Sequence, residues 1–174
     1  FNSTLPSPIR YVKDESNSYC RRGPMQLTKF SDFALRVLMF VHAAGDRRVT
    51  IEEMAGSYQI SRAHLMKVVN ALTRAGYLIA VRGRSGGLKL ARPAHEIRLG
   101  TVIRDTEPDF ALVECFATGS QCVIMGFCRL PRALNEALTA FLDTLDQHTL
   151  ESIALKPRDF RRVLTPSLSP VQRQ

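Results

Sequence analysis

The sequence predicts a mainly α fold with a small β-hairpin: a winged helix-turn-helix head followed by a long C-terminal dimerisation helix. Three observations carry this expectation. Two helical stretches meet at Gln59-Ile60, the second with a basic and polar outer face. A glycine-rich turn between two apolar runs follows at once. From Leu130 to about His148, apolar residues then recur at one helical spacing over several turns.

In the first helix, expected from Leu27 to Ala44, Phe30, Ala34, Val37, Leu38 and Val41 fall at i, i+4, i+7, i+8 and i+11. Thr28 suits the N-cap, and Gly45-Asp46 ends the run. Asp32 and Arg36 lie one turn apart and read as a surface ion pair. Thr50-Ile51-Glu52-Glu53 has the form of a capping box and opens a short helix to about Tyr58. Ser61 caps a third helix from Arg62 to about Ala75, with Leu65, Val68, Val69 and Leu72 on its apolar stripe and Gly76 as its stop. A third helix so placed suits the major groove. Ser61 at its entrance, with Arg62, His64 and Lys67, are the candidate base and phosphate contacts.

The runs flanking Arg84-Ser85-Gly86-Gly87 form a hairpin, and a hairpin directly after a recognition helix is a wing. Its tip carries Arg82 and Arg84 and its return strand Lys89, suited to phosphate or the minor groove. A nucleotide phosphate loop would need a strand-loop-helix setting and a Lys-Ser/Thr ending, which this turn lacks. Ile97 to Asp105 is expected to be a short helix ending near Glu107-Pro108. In the last helix Leu130, Leu134, Leu138, Phe141, Leu142 and Leu145 make one stripe, long enough to favour a partner helix in a homodimer. The resulting division is a disordered lead (1–24), a winged head (25–100), a connecting helix with a cysteine loop (101–128), a dimerisation helix (129–155) and a flexible tail (156–174).

Charge is distributed in keeping with this division. The chain carries a net +8, yet 25–100 holds twelve Lys and Arg against five Asp and Glu, while 101–151 holds three against eight. A basic front half suits a polyanion such as DNA. The longest apolar runs fall short of the roughly 18 residues that cross a bilayer. The lead lacks the apolar core of a secretory signal, so cytoplasmic residence is expected, with Met25 as a natural start. In that reducing compartment clustered cysteines bind metals or act in redox chemistry more often than they form disulfides.

Three of the four cysteines, Cys115, Cys122 and Cys128, fall within fourteen positions, with Gly119 and Gly126 between them; Cys20 stands apart in the lead. Thiolates gathered this closely repel one another unless a cation sits among them, which points to a metal or an iron–sulfur cluster. A structural zinc site with a fourth acid or histidine ligand, or a cluster-free thiol switch, fits the same residues. A cysteine nucleophile would need a partnered base, and His42, His64, His95 and His148 are scattered, so an enzyme is not expected.

LTKFSDFALRVL in the first helix, VRGRSGGLKLARP in the wing and three cysteines before a long helix together resemble the iron–sulfur winged-helix transcription regulators. The resemblance spans Met25 to about Leu155. It is strongest to the nitric-oxide-sensing members of that family, in MQLTKFSDFALR, SRAHLMKVVNALTRAGY and the phrase Arg104-Asp105-Thr106-Glu107-Pro108. It implies a repressor that binds operator DNA as a homodimer and releases it when nitric oxide reacts with the cluster. By position, Cys115, Cys122 and Cys128 match the cluster ligands, and Asp32 matches an aspartate supplied as fourth ligand from the first helix of the other subunit. The implied cluster is [4Fe-4S], with [2Fe-2S] as the alternative. Other members use a histidine just after the third cysteine; Arg129-Leu130-Pro131-Arg132 stands there instead. The six residues between Cys115 and Cys122 make a slightly longer gap than in several relatives.

Overall fold

The computed structural model describes residues 26–83, 86–113, 116, 122–124 and 127–154. The expected lead with Met25 and Cys20, the expected tail, Arg84 at the wing tip and Cys115 lie outside these residues.

Helix α1 (Lys29–Ala43) is the centre of the core. Thr28 caps it, its hydroxyl accepting from the Ser31 amide at 3.2 Å, and Ala34, Val37, Leu38 and Val41 are all but fully buried. Helix α2 (Ile51–Tyr58) starts at Thr50, whose side chain accepts from the Glu53 amide at 3.1 Å. The reciprocal half of the capping box is not made, because the Glu53 carboxylate is held by Arg47 at 2.7 Å. Gln59 takes a left-handed conformation (φ 53°) and turns the chain into helix α3 (Arg62–Arg74). The α3 stripe of Leu65, Val68, Val69 and Leu72 packs into the α1 core, leaving the opposite face in solvent.

Strands β1 (Leu78–Val81) and β2 (Gly87–Leu90) pair antiparallel in the register Leu78↔Leu90 to Val81↔Gly87. Leu88 also bridges Val49, a pairing the sequence pattern did not signal. Gly87 makes it possible, since a Cβ there would lie 2.9 Å from the Val49 carbonyl oxygen. This mainly helical head with its two-stranded hairpin is a winged helix-turn-helix.

After a 3-10 turn at Ala94–Glu96, helix α4 runs Leu99–Thr106. It begins two residues later than the expected Ile97, which is extended and fully buried. Ile97 instead accepts from the Leu150 amide at 2.8 Å, and Arg98 bridges Thr149, so this strand-like piece closes onto the chain's later end. Helix α5 (Leu130–Asp146) is the long C-terminal helix, with proline in its first turn and its end at Asp146 rather than about His148. The chain breaks there because Thr149 starts a new capped helix, α6 (Leu150–Ile153), whose Leu150 is buried in the head. None of the helices among the described residues is long and apolar enough to cross a membrane.

Candidate nucleic-acid interface and cysteine segment

The first two turns of α3 present Arg62, His64 and Lys67 to solvent. Ser61 sits at their entrance with its hydroxyl 3.3 Å from the His64 amide, so its side chain serves the helix cap. Arg62 is not idle: its Nε donates to Glu52 of α2 at 2.6 Å with both side chains largely in water. That carboxyl lies below the usual carboxylate range, first through its own backbone amide and then through Arg62. His64 lies beside Phe33 with ring centroids 6.5 Å apart, which ties the recognition face to α1. On the wing, Arg82 is exposed. Lys89 is half-buried and lines a shallow cleft of about 460 Å³ with His42, Asp46 and Arg92, at the far end of α1.

Asp32 accepts from Arg36 Nε at 2.9 Å, the expected surface pair one turn apart, with its carboxylate 44% exposed. It belongs to the first turn of α1, whose opening amide, Asp32 N–H, donates to the Thr28 carbonyl at 3.1 Å. Cys122 is exposed and Cys128 half-buried. A turn separates them, closed by the Phe127 and Cys128 amides donating to the Ile124 carbonyl at 3.0 and 2.9 Å. Among the described residues no three Cys, His, Asp or Glu converge on one point. Cys128 at the close of that turn and Cys122 two residues before it offer soft sulfur donors of the type that ligates an iron–sulfur cluster. Apolar side chains flank them: Val123 and Phe127 are each 95% exposed, and Leu130 begins α5 at 53%.

Sequence reasoning missed the contacts made by the end of α4, ahead of the cysteine segment. Thr28 donates to the Glu107 carboxylate from its amide at 2.8 Å and from its hydroxyl at 3.3 Å. Tyr77 donates its hydroxyl to Asp105 at 2.6 Å. Arg104 holds Asp146 of α5 through Nη1 and Nη2 of its guanidinium, and that bond keeps the Asp146 carboxyl below its usual range. All three contacts come from the phrase Arg104 to Pro108 quoted above for its resemblance. The signal was present in the sequence, but its partners lie 28 to 79 residues away.

Residues 27–156 match the Rrf2 family, described as iron-dependent transcriptional regulators. The chain belongs to the Rrf2 family. Among its Rrf2-type relatives is the HTH-type transcriptional regulator NsrR of Bacillus licheniformis, 43% identical over 143 residues, which are 81% of this chain and 100% of the relative. NsrR of Bacillus subtilis is 42% identical over 142 residues, 80% of this chain and 97% of the relative. The chain is thus an NsrR-like Rrf2 transcription regulator, a non-enzymatic family. Of solved structures, T. potens IscR superposes with a TM-score of 0.61 at 20% identity, over 74% of this chain and 85% of that one. Staphylococcus aureus CymR gives 0.58 at 24%, over 73% and 96%. At such identities these two bear on the fold alone.

Proposed function

We propose that this regulator is a cytoplasmic, homodimeric repressor that holds an iron–sulfur cluster and leaves its operator DNA when nitric oxide is present. The observation that carries the reading is the cysteine turn: Cys122, exposed, and Cys128, half-buried, set at the root of α5 in a chain of an iron-dependent family. Cys115, Cys122 and Cys128 hold the cluster, and Asp32 of the partner subunit completes it, in keeping with the oxygen donor that remains exposed in the first turn of α1. The cluster is of the [4Fe-4S] type, with [2Fe-2S] the alternative that an iron count decides. When bound, it supplies iron that reacts with nitric oxide.

The chain's own residues do the rest. Arg62, His64 and Lys67 meet base edges and phosphates in the major groove, with Ser61 at the helix entrance. Arg82, Arg84 and Lys89 meet the backbone beside it. The apolar stripe of α5 joins two copies, because no residue of that helix is buried within one chain. The spacing of the two α3 helices then sets whether both fit one operator.

The test is an anaerobic visible spectrum of freshly purified protein, with iron and sulfide counts, before and after nitric oxide, followed by operator binding in both states. A coloured protein that bleaches on titration and loses DNA affinity is expected. A protein that carries zinc, or stays colourless after anaerobic cluster reconstitution, would leave a winged-helix regulator with a structural or thiol-based loop.

A further inference from the structure

We infer that the hydrogen bond from Tyr77 to Asp105 is the positioning contact through which the state of the cysteine segment reaches the recognition helix and the wing. This rests on the sensor reading above and adds to it a residue-level route.

The last turn of α4 is a junction. Arg104 binds Asp146 of α5, Asp105 binds Tyr77, and Glu107 binds Thr28 at the start of α1. Pro108 follows, and the chain then runs to the cysteines. A shift of the cysteine segment reaches this turn along the chain after Pro108 and through α5, and the turn holds one element through each of three side chains, Arg104, Asp105 and Glu107.

Tyr77 is the contact on the DNA-reading side. Its amide donates to Leu72 in the last turns of α3 at 2.9 Å, and its carbonyl accepts from Ala91, just past β2, at 2.9 Å. Its ring lies 4.4 Å beneath the Arg92 guanidinium, which also reaches the Ala75 carbonyl at 3.5 Å. Recognition helix and wing are thus stitched to one residue. That residue is 1% exposed, so its ring has no room to swing. Leu, Val and Ile contacts between α4 and the core tolerate sliding, whereas a 2.6 Å bond from a rigid ring is directional and is either kept or lost. A displaced Asp105 must drag the α3–wing unit or release it, which is the two-state element that coupling between distant sites requires.

Tyr77→Phe keeps the buried ring and its stacking on Arg92. Asp105 is exposed, so its carboxylate, once released, is hydrated rather than stranded. The experiment measures affinity for a duplex that the protein itself enriches from random-sequence DNA, at one fixed salt, for cluster-loaded and nitric-oxide-treated protein. Wild type is expected to lose affinity on the order of thirtyfold on treatment, and Tyr77→Phe about threefold or less. The visible spectrum and the nitric oxide needed to bleach it should stay unchanged in the variant. Asp105→Ala should behave as Tyr77→Phe, while Asp105→Asn, which keeps an acceptor oxygen, should restore the wild-type ratio. If Tyr77→Phe lowers both affinities together and keeps the ratio, the residue is merely structural and the inference is overturned. If wild type itself shows equal affinities in the two states, the sensor reading fails, and the inference with it.

Discussion

In the proposed DNA complex Arg62 exchanges Glu52 for DNA. In the free chain its Nε sits 2.6 Å from the Glu52 carboxylate, on a surface where such pairs contribute little to stability. A phosphate or guanine edge offers the same guanidinium a stronger partner. Arg62→Ala should therefore weaken operator binding by about 1–3 kcal/mol with little change in melting temperature, and the loss should be sequence-selective if Arg62 reads a base. Glu52→Gln should act in the opposite direction, tightening operator binding by freeing Arg62 and removing a negative charge beside the groove; unchanged affinity in a salt series would show that the pair does not compete with DNA. Asp32 allows an equally clean separation. Its bond to Arg36 is exposed, so Asp32→Ala should cost no more than about 0.5 kcal/mol in denaturant unfolding. A changed cluster spectrum at unchanged stability would then assign it as a ligand, and an unaltered spectrum with an unaltered nitric oxide response would exclude it. At this scale the sequence was readable where the interaction is local. Thr28, Thr50 and Ser61 cap the helices expected of them because a cap needs only its own next three amides. Glu107 was not readable, because its partner Thr28 is chosen by tertiary packing, and Glu53 was misassigned, because Arg47 just ahead of the helix competes for it with the N-cap amide.

The elements that the sequence pattern offered were legible to within a turn, the 3-10 turn and α6 were not offered, and the misses at Ile97 and His148 share one cause. Ile97 looked helical by its apolar periodicity but is extended, and α5 stops before His148, because both ends are used to pair residues 97–99 with 148–150. Periodicity cannot report a bridge between segments fifty residues apart. The joint between α4 and α5 tests how tight that closure is. A Cβ at Gly100 would stand 2.7 Å from Asp146 Cγ and 2.8 Å from the Leu142 carbonyl oxygen. Gly100→Ala should therefore destabilise the protein by about 1–3 kcal/mol, despite the better helix propensity of alanine. Asp146→Ala in the same background should recover part of the loss, since the carboxylate can be removed and the Leu142 backbone cannot; thermal unfolding of wild type and the two variants checks both statements. A neutral Gly100→Ala would mean that α5 sits further from α4 than the structure places it.

For the molecule as a whole, the question is what covers α5. Its six stripe positions were legible as one apolar face, but a single chain cannot reveal the surface that meets it. The structure sharpens the question: none of the six is buried, and Leu130 and Phe141 remain 53% and 46% exposed, while the head closes its own core around α1 without them. The core of the fold and the proposed dimer face thus rest on different residues. That separation makes a substitution at Phe141 informative, because its exposed side chain can be changed without touching the interior of the chain. Phe141→Glu places a charge in the middle of the face, where a second helix would have to bury it without a partner. The expected outcome is a monomer by sedimentation, with the near-native melting of the head retained and operator affinity sharply reduced, since one head alone reads half a site. Arg132→Glu, on the same helix but in an exposed pair with Glu136, should leave the assembly unchanged and serves as the charge control. A Phe141→Glu protein that sediments like the wild type would place the dimer contact elsewhere and leave the stripe as a surface for some other partner.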